Sequence, residues 1–147
     1  MGEPITKEKL MKYVSLRMEI ENHLERLARM KQNEKFPAMK EPDGSKHTSF
    51  GSDRMANAVL KRLDYEERVA PRIEADIKEM DEIEAAINRL ENPLEREVLW
   101  LRYIDGDHCR LMPWTQVCTA LYGSDDEKHL LATYRLHGRA LQNIKNV

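Results

Sequence analysis

The sequence predicts an all-α protein: a long helical hairpin or coiled-coil N-terminal part followed by a small helix-turn-helix domain. Three observations carry this. Charged residues make up 34% of the 147 and aromatics only 6%, a balance that suits long helices rather than sheets. Apolar residues recur at helical spacing over two long stretches, one on each side of a segment bearing Pro37, Pro42, Gly44 and Gly51. The last third holds three short amphipathic segments parted by glycine-bearing breaks, the outline of a helix-turn-helix.

These stretches divide the chain into residues 1–32, an N-terminal long helix; 33–52, a flexible linker; 53–91, a second long helix broken near Pro71; and 92–147, the helix-turn-helix domain. From Thr6 to Gln32, Leu10, Val14, Met18, Ile20, Leu24, Leu27 and Met30 form one stripe. A helix of that length is not stable alone and needs an antiparallel partner within the chain or a second copy. The linker carries Lys35, Lys40, Lys46 and His47, which suit a plain connection or a contacting arm. After it, Val69, Ile73, Ile77, Met80, Ile83, Ile87 and Leu90 repeat at a coiled-coil spacing. Pro71 predicts a kink or break close to Ala70. Glu74, Asp76, Glu79, Asp81, Glu82 and Glu84 make this segment mostly acidic, so it is assigned to packing or dimerisation and not to nucleic acid.

In the last third, Asn92 is the expected N-cap and Pro93 the first helical residue, with Leu94, Val98, Leu101 and Ile104 as the buried face and Gly106 as the stop. The second segment starts at Pro113 and Trp114, buries Val117, Cys118 and Leu121, and closes at Gly123 in a left-handed conformation. Ser124 and Glu127 have the spacing of a capping box that opens the third segment. Its expected core face is Leu130 or Leu131, then Tyr134, Leu136 or His137, Leu141 and Ile144. From Lys128 to Val147 there are four cationic side chains, Lys128, Arg135, Arg139 and Lys145, and no acid, in a chain whose net charge is only −2. Such local asymmetry is what an electrostatic footprint for phosphates requires.

The runs Leu90–Tyr103 (LENPLEREVLWLRY), Trp114–Val117 (WTQV) and Tyr134–Leu141 (YRLHGRAL) resemble region 4 of bacterial sigma factors. The resemblance is nearest to the sigma-region-4-like regulators carried by phages and prophages, the group with the RinA-like and ArpU-like late-gene activators. It covers roughly the last 55 residues and implies a helix-turn-helix whose third helix enters the major groove. The connector Asp105–Met112 is long for that pattern, and Ser124–Lys128 reads as an insertion that starts the third helix a turn early.

The DNA-binding residues expected on this basis are Lys128, His129, Thr133, Arg135, His137 and Arg139 on the third helix, with Thr115 and Gln116 at the N-terminus of the second. Arg102 is expected to be a surface charge, and Trp100 and Trp114 core aromatics. His108, Cys109, Cys118 and His129 are metal-ligand types, but their spacing fits no closed motif, so no metal or other cofactor is expected. No nucleophile elbow or phosphate-binding glycine loop is present, so no catalytic residue is assigned and the chain is not expected to be an enzyme.

The leading expectation is a sequence-specific double-stranded DNA-binding regulator of phage or prophage transcription. Its partners would be duplex DNA, host RNA polymerase and a second copy of the chain, with no membrane and no small-molecule substrate. The alternative is a small terminase subunit for DNA packaging, a ring of many copies where a regulator is monomeric or dimeric. A helical interaction protein without duplex affinity is the third option. No apolar run or signal peptide is seen, so a cytoplasmic location is expected.

Overall fold

A computed structural model describes residues 3–35 and 50–147, with side chains at 3–34 and 53–147. All the regular structure among the described residues is helical. Helix α1 spans Lys7–Lys35, α2 Phe50–Asn88, α3 Pro93–Leu99, α4 Trp114–Tyr122 and α5 Glu127–Ile144. Most of the linker expected at 33–52, with Lys40, Lys46 and His47, lies outside the described residues.

Two compact units share the two long helices: Met1–Met18 with Asp76–Val147, and Glu19–Ala75. In the Glu19–Ala75 unit, Tyr65 and Val69 are buried. The Tyr65 hydroxyl meets His23 Nδ1, the Arg26 guanidinium lies 5.7 Å from the Tyr65 ring centre, and Arg62 bridges Glu34 and Glu66. Glu19 faces Arg72, His23 faces Tyr65 and Glu34 faces Arg62, so the two segments run antiparallel. The segment of α1 thus has an antiparallel partner within the chain, although Met18 and Leu24 of the expected stripe are 45% and 53% exposed. Of the kink or break expected at Pro71, the break does not occur: the helix runs continuously across it. Glu67 and Pro71 are both exposed, and water can satisfy the carbonyl that loses its helical donor there.

The other unit has the larger core. Leu10 and Tyr13 from α1 and Ile83, Ile87 and Leu90 from α2 and its end meet Val98, Leu99, Val117, Leu136 and Ile144. Ile83 to Leu90 thus serve packing, as the coiled-coil spacing suggested, while Ile77 is 45% exposed. Lys12 pairs with Glu79 at 2.8 Å, and the Tyr13 hydroxyl donates to Glu84 at 3.1 Å.

Helix α3 begins as expected: the Asn92 side chain accepts from the Leu94 N–H at 2.9 Å and Pro93 is the first helical residue. Of its expected buried face, Val98, Leu101 and Ile104 are buried and Leu94 alone departs. Leu94 is 49% exposed, whereas Glu95 is buried, both oxygens of its carboxylate accepting from Asn143 Nδ2, at 2.9 and 3.0 Å. Past Leu99 the helix widens into a π-helical turn, Trp100–Ile104, closed by Asp105 N–H to Trp100 O at 3.0 Å. Arg17 donates to the carbonyls of Ile104 and Gly106, at 3.0 and 3.2 Å, which covers acceptors left over at the helix end.

The connector from Asp105 to Met112 is a folded loop. Arg102 ties its far end, giving a side-chain N–H to Met112 O at 2.6 Å while its own carbonyl accepts from Met112 N–H at 3.1 Å. His108 and Cys109 both take left-handed conformations, at φ 56° and 55°, which costs non-glycine residues of order 1 kcal/mol each. Gly106 is needed for a different reason. A Cβ there would lie 1.8 Å from the Arg110 carbonyl oxygen, so the loop closes only over a hydrogen.

Candidate nucleic-acid interface

Helix α4 ends where the sequence placed its end: Gly123, at φ 74°, returns its N–H to Thr119 O at 2.8 Å and turns the chain. Cys118 is buried, its Sγ donating to Ser124 O at 3.1 Å. The cap of α5 is not the expected Ser124–Glu127 box. Asp126 is the N-cap, its carboxylate accepting from His129 N–H at 2.9 Å, and the helix starts at Glu127. That backbone bond, together with the nearby His129 ring, holds the Asp126 carboxyl below its usual pKa.

Helix α5 has a sharply divided surface. Thr133, Leu136, His137, Ala140 and Ile144 are buried, and the opposite stripe of Lys128, Leu131, Arg135, Gly138 and Gln142 is exposed, with Arg139 beside it. Of the expected core face, Leu136, His137 and Ile144 are buried, Leu131 is the exposed member of its pair with Leu130, and Tyr134, 46% exposed, is the correction. Alternation of three and four residues defines both faces.

The expected DNA-binding residues separate along this division. Lys128, Arg135 and Arg139 are exposed and have no hydrogen-bond or ion-pair partner among the described residues. Thr115 and Gln116 are exposed at the start of α4, and with Thr119, Ala120 and Asp125 they line a shallow groove. No side chain caps that end of α4, where Pro113 occupies the cap position. The first amides there therefore keep free hydrogens.

His129 is only partly exposed, and its ring is engaged: Nδ1 lies 2.9 Å from Ser124 Oγ and 2.7 Å from Asp126 Oδ1, and the ring stacks on Tyr122. It holds the α4–α5 turn together. Thr133 and His137 are corrected outright. Thr133 is fully buried, its hydroxyl donating to His129 O at 2.8 Å, so its polar atom is spent on the helix itself. His137 is buried 2.7 Å from the Tyr103 hydroxyl and meets the Trp114 ring edge-on at 4.7 Å. Neither can reach a macromolecule outside the core.

Arg102 is part of this packing as well. Its guanidinium lies 4.3 Å from the Trp114 ring centre, and burial lowers its pKa from the ordinary arginine value. Trp114 also meets Tyr134 edge-on at 5.3 Å. Arg102, Trp114, His137 and Tyr103 therefore join the π-turn, α4 and α5 through one aromatic stack.

Leu131, which the sequence offers as a core alternative to Leu130, and Gly138 and Gln142, which it does not single out, are surface residues of α5. The signal for them was the spacing of Thr133, Leu136, His137, Ala140 and Ile144, once threonine and histidine count as core residues.

Among the described residues no three His, Cys, Asp or Glu side chains converge as a metal site would need, and no helix is long and apolar enough to cross a membrane. Comparison with family models, with curated proteins and with solved structures returns no match.

Proposed function

We propose that this chain is a sequence-specific double-stranded DNA-binding regulator of phage or prophage transcription, in which α4 and α5 act as a helix-turn-helix and α5 enters the major groove. The observation that carries the reading is the unpartnered set of cations, Lys128, Arg135 and Arg139, on or beside the exposed stripe of a helix whose other face is buried. Cations on one helix that no carboxylate pairs suit phosphates and guanine edges. Asp125 and Glu127 are exposed at the start of α5, and Asp125 also lines the groove with Thr115 and Gln116, so phosphate contact falls chiefly to the middle of α5. The resemblance of Leu90–Tyr103, Trp114–Val117 and Tyr134–Leu141 to sigma region 4 supports a role in transcription, with host RNA polymerase as a further partner.

The test is selection of bound duplexes from random sequence at physiological salt, followed by titration of the selected site. Arg135→Ala is expected to weaken that binding by about 1 to 3 kcal/mol, and affinity should fall steeply with salt. Failure to select any site, or a flat salt profile, would overturn the reading.

A further inference from the structure

The exposed stripe of α5 is not uniformly polar. In order it presents an ammonium at Lys128, an isobutyl group at Leu131, a guanidinium at Arg135, no side chain at Gly138 and a carboxamide at Gln142. Leu131 is 48% exposed, one turn from each of two cations that have no protein partner. A single exposed leucine is ordinary on a protein surface. Its placement inside a cationic stripe is what gives it a chemical meaning. An apolar protein surface covering Leu131 would have to desolvate Lys128 and Arg135 as well. Duplex DNA meets both demands, because its major groove is flanked by phosphates and offers one apolar group on its floor, the thymine 5-methyl.

Resting on the DNA reading above, we propose that Leu131 reads a thymine 5-methyl group, one or two base steps from a guanine held by Arg135. The spacing allows this. Four residues of helix advance about 6 Å, and successive base pairs are stacked about 3.4 Å apart. Arginine is suited to the paired acceptors of guanine, and a branched aliphatic group to the thymine methyl. Gly138 lies one turn further on, and a Cβ built there meets nothing within 4 Å, so the groove wall can approach the α5 backbone at that point.

The experiment uses the full chain and duplexes selected from random sequence. Each thymine of the selected site is replaced in turn by uracil, which removes only the methyl group. One replacement, within two steps of a guanine, is expected to weaken binding about fourfold, the factor that corresponds to one buried methyl. Leu131→Ala should bind the thymine duplex more weakly by a similar or larger factor and should no longer distinguish thymine from uracil there, with its helix content by circular dichroism unchanged. Uracil tolerated at every position, or discrimination that persists in Leu131→Ala, overturns the assignment while leaving duplex binding intact. If no duplex is selected at all, the DNA reading fails and this inference with it.

Discussion

The Tyr103 hydroxyl and His137 Nε2 lie 2.7 Å apart, both side chains buried where the π-turn meets α5. Burial first, then Lys7 and Arg102, pushes the His137 pKa down to about 4, while burial pushes Tyr103 up to about 12. The imidazole is thus neutral at pH 7. Above pH 6.5 the folded and unfolded chains both carry it neutral, and it adds no pH dependence. Between 6.5 and 4 the unfolded chain takes up a proton that the folded chain refuses, so stability falls with pH across that window. The expected loss from this group is about 2 to 3 kcal/mol by pH 4. Urea unfolding at pH 7 and pH 5 measures it, with His137→Phe as control. The variant should show a shallower fall, and equal slopes would mean that His137 is not the group responsible.

A second pairing inside the same unit is Glu95 with Asn143. The carboxylate is buried and accepts two hydrogen bonds from one amide group. Asn143→Ala would leave that carboxylate without its donor, and a stranded buried acceptor costs about 1 to 3 kcal/mol. The denaturation midpoint should fall accordingly. Glu95→Gln together with Asn143→Ala should cost less than Asn143→Ala alone, because a neutral amide is cheaper to strand than an anion. Equal losses would show that water has taken the place of Asn143.

What the sequence made legible follows from what each signal depends on. Asn92, Pro93 and Gly123 were read correctly because caps and left-handed turns are local, set by the residue and its immediate neighbours. The exchange of Leu94 for Glu95 on the buried face of α3 is not legible locally, because the partner of Glu95, Asn143, lies 48 residues away and no local pattern announces it. Thr133 reads as a contact residue because it is polar, and His137 reads both as a contact and as a core alternative to Leu136. Their hydrogen bonds, to His129 O and the Tyr103 hydroxyl, make them core residues. Pro71 predicts a kink or break from its local chemistry, yet α2 continues across it at an exposed position. Of the expected contact residues on α5, the charged ones, Lys128, Arg135 and Arg139, are those that stand exposed, because an unpaired cation is expensive to bury.

Arg17 tests whether the α1 contact holds the π-turn in place. It donates to both Ile104 O and Gly106 O. Arg17→Ala should lower stability by about 1 to 3 kcal/mol, as for hydrogen bonds from a charged donor. Amide exchange at Asp105, whose N–H closes the π-turn, should quicken more than exchange within α4. Uniform quickening would indicate global destabilisation and no particular role at the turn.

Two glycines of the same unit should respond in opposite directions to the same added methyl. At Gly106 a Cβ would stand 1.8 Å from the Arg110 carbonyl oxygen and 2.9 Å from its carbon. Both are backbone atoms that no rotamer change can move aside. Gly106→Ala should therefore cost about 3 kcal/mol or more and open the Asp105–Met112 loop. At Gly138 the Cβ meets nothing within 4 Å and the residue lies inside α5. Gly138→Ala should raise stability by about 0.5 to 1 kcal/mol, because alanine loses less backbone freedom on entering a helix. In the DNA reading the same methyl stands where the groove wall approaches, so Gly138→Ala should bind the selected duplex no better, and more weakly if contact is close. Thermal unfolding and duplex titration of the two variants separate these effects. A Gly138→Ala protein that is both more stable and tighter binding would show that this part of α5 does not face the DNA closely.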